Sequence, residues 1–113
     1  MADLSKLIDV AKRKREFDKS NPWYVGPESY LNEISKEVDE VLETLPKGDL
    51  PHLEEELGDV IWDTLNAILA LEHSHNVDIH SILQRTTDKY TFRIDGLEQG
   101  LSWQEVKQQE KST

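Results

Sequence analysis

Apolar residues recur every three or four positions along most of the chain, and no run alternates as a strand would. The spacing predicts four helices. The first runs from about Asp3 to Phe17, with Leu4, Leu7, Ile8, Ala11 and Phe17 on its apolar side. The stretch SNPWYVGPES, with two prolines and a glycine, ends it. The second runs from about Glu28 to Leu45, with a stripe of Leu31, Ile34, Val38, Val41, Leu42 and Leu45. Pro46 to Pro51 reads as a turn short enough to fold the third helix back on the second. The third runs from about His52 to His73, with Leu57, Val60, Ile61, Leu65, Ile68 and Leu71 on its main face. Ala67, Leu69 and Ala70 widen that face, which predicts burial on more than one side. The fourth runs from about Asp78, a candidate N-cap, to Ile94. Gly96 and Gly100 then punctuate the chain, and residues 101–113 read as a short helix or a loose tail. The class is all-α, with a four-helix bundle core in a single domain over 1–113. Residues 1–20 hold the N-terminal helix, 28–94 the core and 96–113 the C-terminal element.

The polar residues of the third helix are not scattered. Glu56, Asp59, Asp63 and Asn66 fall at i, i+3, i+7 and i+10, a single stripe. Glu33, Glu37 and Glu40 group likewise on the second helix. An antiparallel pair of these helices brings Glu37, Glu40, Glu56 and Asp59 to one point. At about 6 Å and an effective dielectric near 20, one like-charged pair costs roughly 3 kcal/mol. Four converging carboxylates would cost on the order of 10 kcal/mol, comparable to the stability of a small domain. Spacing alone leaves two outcomes: the stripes point apart into water, or they converge on a cation. Oxygen ligands select Mg²⁺, Mn²⁺ or Ca²⁺. A di-iron site is disfavoured, because Asp59 and Glu40 stand where a Glu-x-x-His motif needs histidine.

Charge narrows the partners. The 113 residues carry 23 acidic and 13 basic side chains, a net charge of −10, which disfavours nucleic acid. A small anion can bind if metal ions sit between it and the protein. There is no cysteine, no apolar run long enough to span a membrane and no secretory leader, so a cytoplasmic location is expected. The basic run Lys12–Arg15 reads as a solvated helix face, with a phosphate-facing patch as the alternative. His73 and His75 suit the C-terminal end of a helix dipole.

KEVDEVLE followed by EEELGDV resembles the Glu-x-x-Glu … Glu-x-x-Asp signature of MazG-like nucleoside triphosphate pyrophosphohydrolases. Their all-α superfamily also holds dimeric dUTPases and phosphoribosyl-ATP pyrophosphohydrolases. NPWYVGPESYL is similar to the family's Pro-Trp segment, and Asn66 stands where these proteins often carry asparagine. LQRTTDKYTFRI resembles a Lys-Phe-x-x-Arg segment, with Lys89 and Arg93 in the matching places, and WQEVK resembles an element of longer members. The chain departs from the pattern at Lys36, where a second acid is usual, at Tyr24 after Trp23, and at the extra acid Asp63.

The resemblance implies Mg²⁺-dependent hydrolysis of nucleoside triphosphates, dNTPs foremost, to monophosphate and pyrophosphate, with Mn²⁺ as a possible substitute and nucleotide-pool house-cleaning as the role. Glu37, Glu40, Glu56 and Asp59 would carry the metals. Glu37 or Glu40, or a metal-bound hydroxide it holds, would supply the nucleophile, with Glu33 as a helper. Lys89 and Arg93 would face the phosphates. Asn66 and Trp23 would meet sugar or base, and Asp63 would support the site. Trp62 reads as core or subunit contact, and Trp103 with Lys107 as a docked tail or a cover over a site. A homodimer or homotetramer is expected. The alternatives are a narrower relative acting on dUTP, dCTP or phosphoribosyl-ATP, and an acidic interaction module without enzymatic activity.

Overall fold

The computed structural model describes residues 3–112, which are almost wholly helical, with no strand among them. The elements are α1 (Leu4–Asp18), α2 (Glu28–Thr44), a 3-10 turn (Leu45–Lys47), α3 (Leu50–His75), α4 (Ile79–Glu98) and α5 (Trp103–Ser112). The all-α class expected from periodicity is what the chain adopts. None of the described helices is long and apolar enough to cross a membrane. Two compact units divide the described residues, one ending at Val77 and the other beginning at Asp78.

In the first unit, α2 and α3 form a hairpin and α1 packs on α3. Gly48, at φ +69°, takes the left-handed conformation that lets the hairpin turn. Aspartates cap the starts of α1 and α3. Asp3 accepts from Lys6 N at 3.1 Å, and Asp49 accepts from His52 N at 3.2 Å. Helix α3 therefore begins at Leu50, two residues before the sequence expectation. Pro51 is no obstacle, because a first-turn residue needs no intrahelical N–H bond.

The core gathers Ile8 and Ala11 of α1, Tyr30 of α2, and Leu65, Ala67, Leu69 and Ala70 of α3. Burial in α3 is concentrated in its C-terminal half, where Asp63 and Asn66 are buried too. The broad face read from sequence is thus only partly covered within the chain. Leu57 and Ile61 remain exposed, as do Leu31, Val38, Leu42 and Leu45 in the α2 stripe and the turn after it. Leu4 and Phe17 of α1 are exposed as well.

In the second unit, α4 packs with α5. Helix α4 runs on through Gly96 to Glu98, four residues beyond the sequence expectation. Gly96 acts as a packing position here: a Cβ on it would lie 2.6 Å from Val106 Cγ2. Val106 is fully buried, so the C-terminal element is a docked helix. Helix α5 also supplies Glu110, which accepts from Nε and Nη2 of Arg93 in α4 at 2.8 and 2.9 Å.

Candidate metal centre

The hairpin brings the acidic stripes of α2 and α3 together. Carboxylate oxygens of Glu37, Glu56 and Asp59 all lie within 4.8 Å of one another. Glu40 neighbours both Glu37 and Glu56. Of the two outcomes that spacing left open, the stripes converge.

The electrostatics record the cost. Burial and then the neighbouring Glu40, Asp59 and Asp63 push the Glu37 carboxyl up to about 7. Glu56 is raised first by the adjacent Glu40 and then by burial, against the lowering effect of His52. Asp63 is pushed up to about 6, by burial and then by Glu33 and Asp59, with Lys14 opposing. Two oxygens, Glu37 Oε2 and Glu56 Oε2, are buried with no hydrogen-bond partner. A buried unsatisfied acceptor normally costs about 1–3 kcal/mol. Orphaned oxygens on crowded carboxylates are the pattern a hard divalent cation satisfies, so the residues present fit such an ion. With a cation there, the charge repulsion that raises these groups would be reversed.

The remaining candidate residues are placed as follows. Asn66 is buried and donates Nδ2–H to the Trp62 carbonyl at 2.9 Å. Trp23 is half-exposed and packs edge-on to Tyr30, with ring centroids 5.1 Å apart. Lys89 and Arg93 belong to the second unit. Lys89 is exposed beside Tyr90, and Arg93 is buried in its pair with Glu110 and stacked by Tyr90 and Trp103.

The periodicity gave no sign of a second charged group in the first unit. Asp18 is buried and takes Lys14 Nζ at 2.7 Å, Asn21 Nδ2 at 3.0 Å and a short hydrogen bond from the Tyr30 hydroxyl. Burial alone would raise Asp18, but Lys14, Tyr30 and Asn21 outweigh it and hold the carboxyl below its usual range. Lys14 Nζ also lies 5.3 Å from the Trp23 ring centroid and 5.1 Å from that of Tyr30. Two members of the basic run therefore turn inward, Lys14 to Asp18 and Arg15 to Glu72 at 3.3 Å. Beside this group lies a cleft of about 520 Å³, lined among others by Asp18, Asn21, Tyr24, Tyr30, Asn66 and Ala70.

Residues 25–97 match the model of the MazG nucleotide pyrophosphohydrolase domain. The chain belongs to the MazG family. The match spans both acidic motifs. A mazG-related protein from Thermotoga maritima has a similar solved structure, at 28% identity and a TM-score of 0.73, with 93% of each chain covered. No curated protein matches the sequence. MazG proteins generally depend on divalent metal, and this member has an acidic cluster of Glu37, Glu56 and Asp59.

Proposed function

We propose that the protein hydrolyses nucleoside triphosphates, dNTPs foremost, to monophosphate and pyrophosphate with Mg²⁺ held by Glu37, Glu56 and Asp59 and with Glu40 alongside. The observation that carries this reading is the pair of buried, unpartnered carboxylate oxygens on facing helices, at the positions of the MazG signature. When bound, Mg²⁺ would neutralise the phosphates, polarise the phosphoryl oxygens and lower the pKa of the attacking water. The chain's own part is to place those charges and to take up a proton. Glu37 or Glu40 accepts the proton as water attacks phosphorus and the bond between the first and second phosphates breaks. Pyrophosphate leaves with the electron pair.

The cleft supports a place for the nucleoside. Its volume falls in the ordinary range for small-ligand sites, about 300–1,000 Å³. Asn66 lines it seven residues beyond Asp59, about 10 Å along α3, with Asp63 between them. That spacing suits a triphosphate on the acids and a sugar and base in the cleft. Tyr24 offers a face for the base, Asn66 an amide for base or sugar, and Trp23 a wall beyond Tyr30. Lys89 and Arg93 as phosphate contacts rest on the sequence resemblance, and Arg93 would have to share its guanidinium with Glu110. The exposed apolar residues of α2 and α3 favour a homodimer or homotetramer. House-cleaning of the cytoplasmic dNTP pool is the role the reading suggests.

The test is a panel of common NTPs and dNTPs, with dUTP and phosphoribosyl-ATP added, incubated with Mg²⁺ and resolved by product. Monophosphate plus pyrophosphate, lost in Glu56→Gln, supports the reading and ranks the substrates. Turnover confined to dUTP, dCTP or phosphoribosyl-ATP identifies a specialised relative. No turnover with either Mg²⁺ or Mn²⁺ returns the protein to an acidic interaction module.

A further inference from the structure

We propose that His52 is a positioning residue for Glu56, fixing one carboxylate oxygen so that the other is presented to the metal. The inference rests on the acidic cluster being the metal site. His52 lies one turn before Glu56, and its Nε2 is 3.0 Å from Glu56 Oε1. Glu56 Oε2 is the oxygen left buried and without a partner. The two oxygens of one carboxylate thus have different surroundings, one held by a ring nitrogen and the other bare at the cluster. The backbone that carries the ring is fixed at the helix start, where the N–H of His52 is held by the cap Asp49 at 3.2 Å. The first turn of α3 therefore connects to the cluster through a single imidazole.

The physical need follows from the crowding. The Glu56 side chain has three rotatable bonds, and Glu40 beside it repels it when both are charged. Left free, the carboxylate would swing toward water before a cation arrives. A donor on Oε1 restrains that swing, and a neutral imidazole with its proton on Nε2 is sufficient. Partners of this kind orient the ligands of metal sites, and removing one typically costs about 10–100-fold in metal affinity. The opposing possibility is an ordinary i, i+4 pair on a helix surface, which would affect helix stability and not the ion.

Binding of Mn²⁺ alone to the full chain, followed by electron paramagnetic resonance, separates the two. Wild type, His52→Leu and His52→Gln are compared, with Glu56→Gln as the background for adventitious surface sites. His52→Leu should bind Mn²⁺ about 10-fold more weakly than wild type. His52→Gln should recover most of the loss, since its amide can donate across one turn. The half-exposed ring position makes both variants compatible with folding. Wild-type affinity in His52→Leu would overturn the proposal while leaving the metal site intact. Equal weakening in His52→Leu and His52→Gln would also overturn it, because a restored donor would then have no effect. Wild-type binding no tighter than Glu56→Gln would remove the metal site itself, and the role of His52 with it.

Discussion

Two groups of carboxylates lie in the first unit, and they are solved in opposite ways. Asp18 is surrounded by donors: Lys14, Asn21 and the Tyr30 hydroxyl satisfy it from within the chain. Glu37, Glu56 and Asp59 are surrounded mainly by one another, and two of their oxygens have no partner. The first arrangement lowers its acid's pKa and the second raises those of Glu37 and Glu56. A carboxylate satisfied by its own protein contributes to stability. Carboxylates crowded together with few donors detract from it until something else arrives. The contrast distinguishes the part of the unit that holds α1, the Pro-Trp segment and α2 together from the part proposed to receive a cation.

The contrast breaks most sharply under substitution. Glu56→Gln should cut pyrophosphohydrolysis by at least about 100-fold, because a metal supplies several kcal/mol of charge stabilisation and 1.4 kcal/mol is a factor of ten. Steady-state assays with Mg²⁺ check this, and apo stability should hold or rise. Asp18→Ala should do the reverse, destabilising the fold by about 3 kcal/mol because Lys14 and Tyr30 lose their partner in a buried setting. Urea denaturation measures that loss, and the surviving folded fraction should still take up metal.

A smaller effect lies in the pH dependence without metal. Glu37 is raised from 4.5 to about 7 on folding, so the native state holds more protons than the unfolded chain between those values. Stability must therefore fall as pH rises through that window. Asp63, raised to about 6, contributes in the same direction. Thermal melts across the window should show the decline, and Glu37→Gln should flatten it. Asp18, lowered on folding, has the opposite sign and loses its contribution only as pH drops below the ordinary carboxylate range. The smallest effect should come from Lys36→Ala. Its bond to Glu33 is 3.1 Å long, but Lys36 is exposed, so stability should change by less than about 1 kcal/mol.

The helices and the acid stripes were legible because each depends on local spacing. Glu56 and Asp59 share a face by helical geometry, and the short turn after α2 is enough to bring Glu37 toward them. What could not be read depended on contacts between distant positions. Lys14 meets Tyr30 sixteen residues on, and nothing in Lys12–Arg15 marks which two of the four cations turn inward. Gly96 looked like a helix stop because the close approach of Val106 comes from the following helix. Arg93 read as an open phosphate contact because its partner Glu110 is brought back only by α5. The Asn66 side chain, read for sugar or base, has its amide on the Trp62 carbonyl, a local bond that sequence allows without specifying.

The central claim is that the α2–α3 acids are a cation site and the Asp18 group is not. The most direct measurement is the melting temperature at mildly alkaline pH as Mg²⁺ is added to wild type, Asp18→Asn and Glu56→Gln. A ligand that binds only the folded state must raise Tm. Wild type and Asp18→Asn should each gain Tm with Mg²⁺, from different starting points, and Glu56→Gln should not. A wild-type Tm indifferent to Mg²⁺, or an equal gain in all three, would contradict the claim.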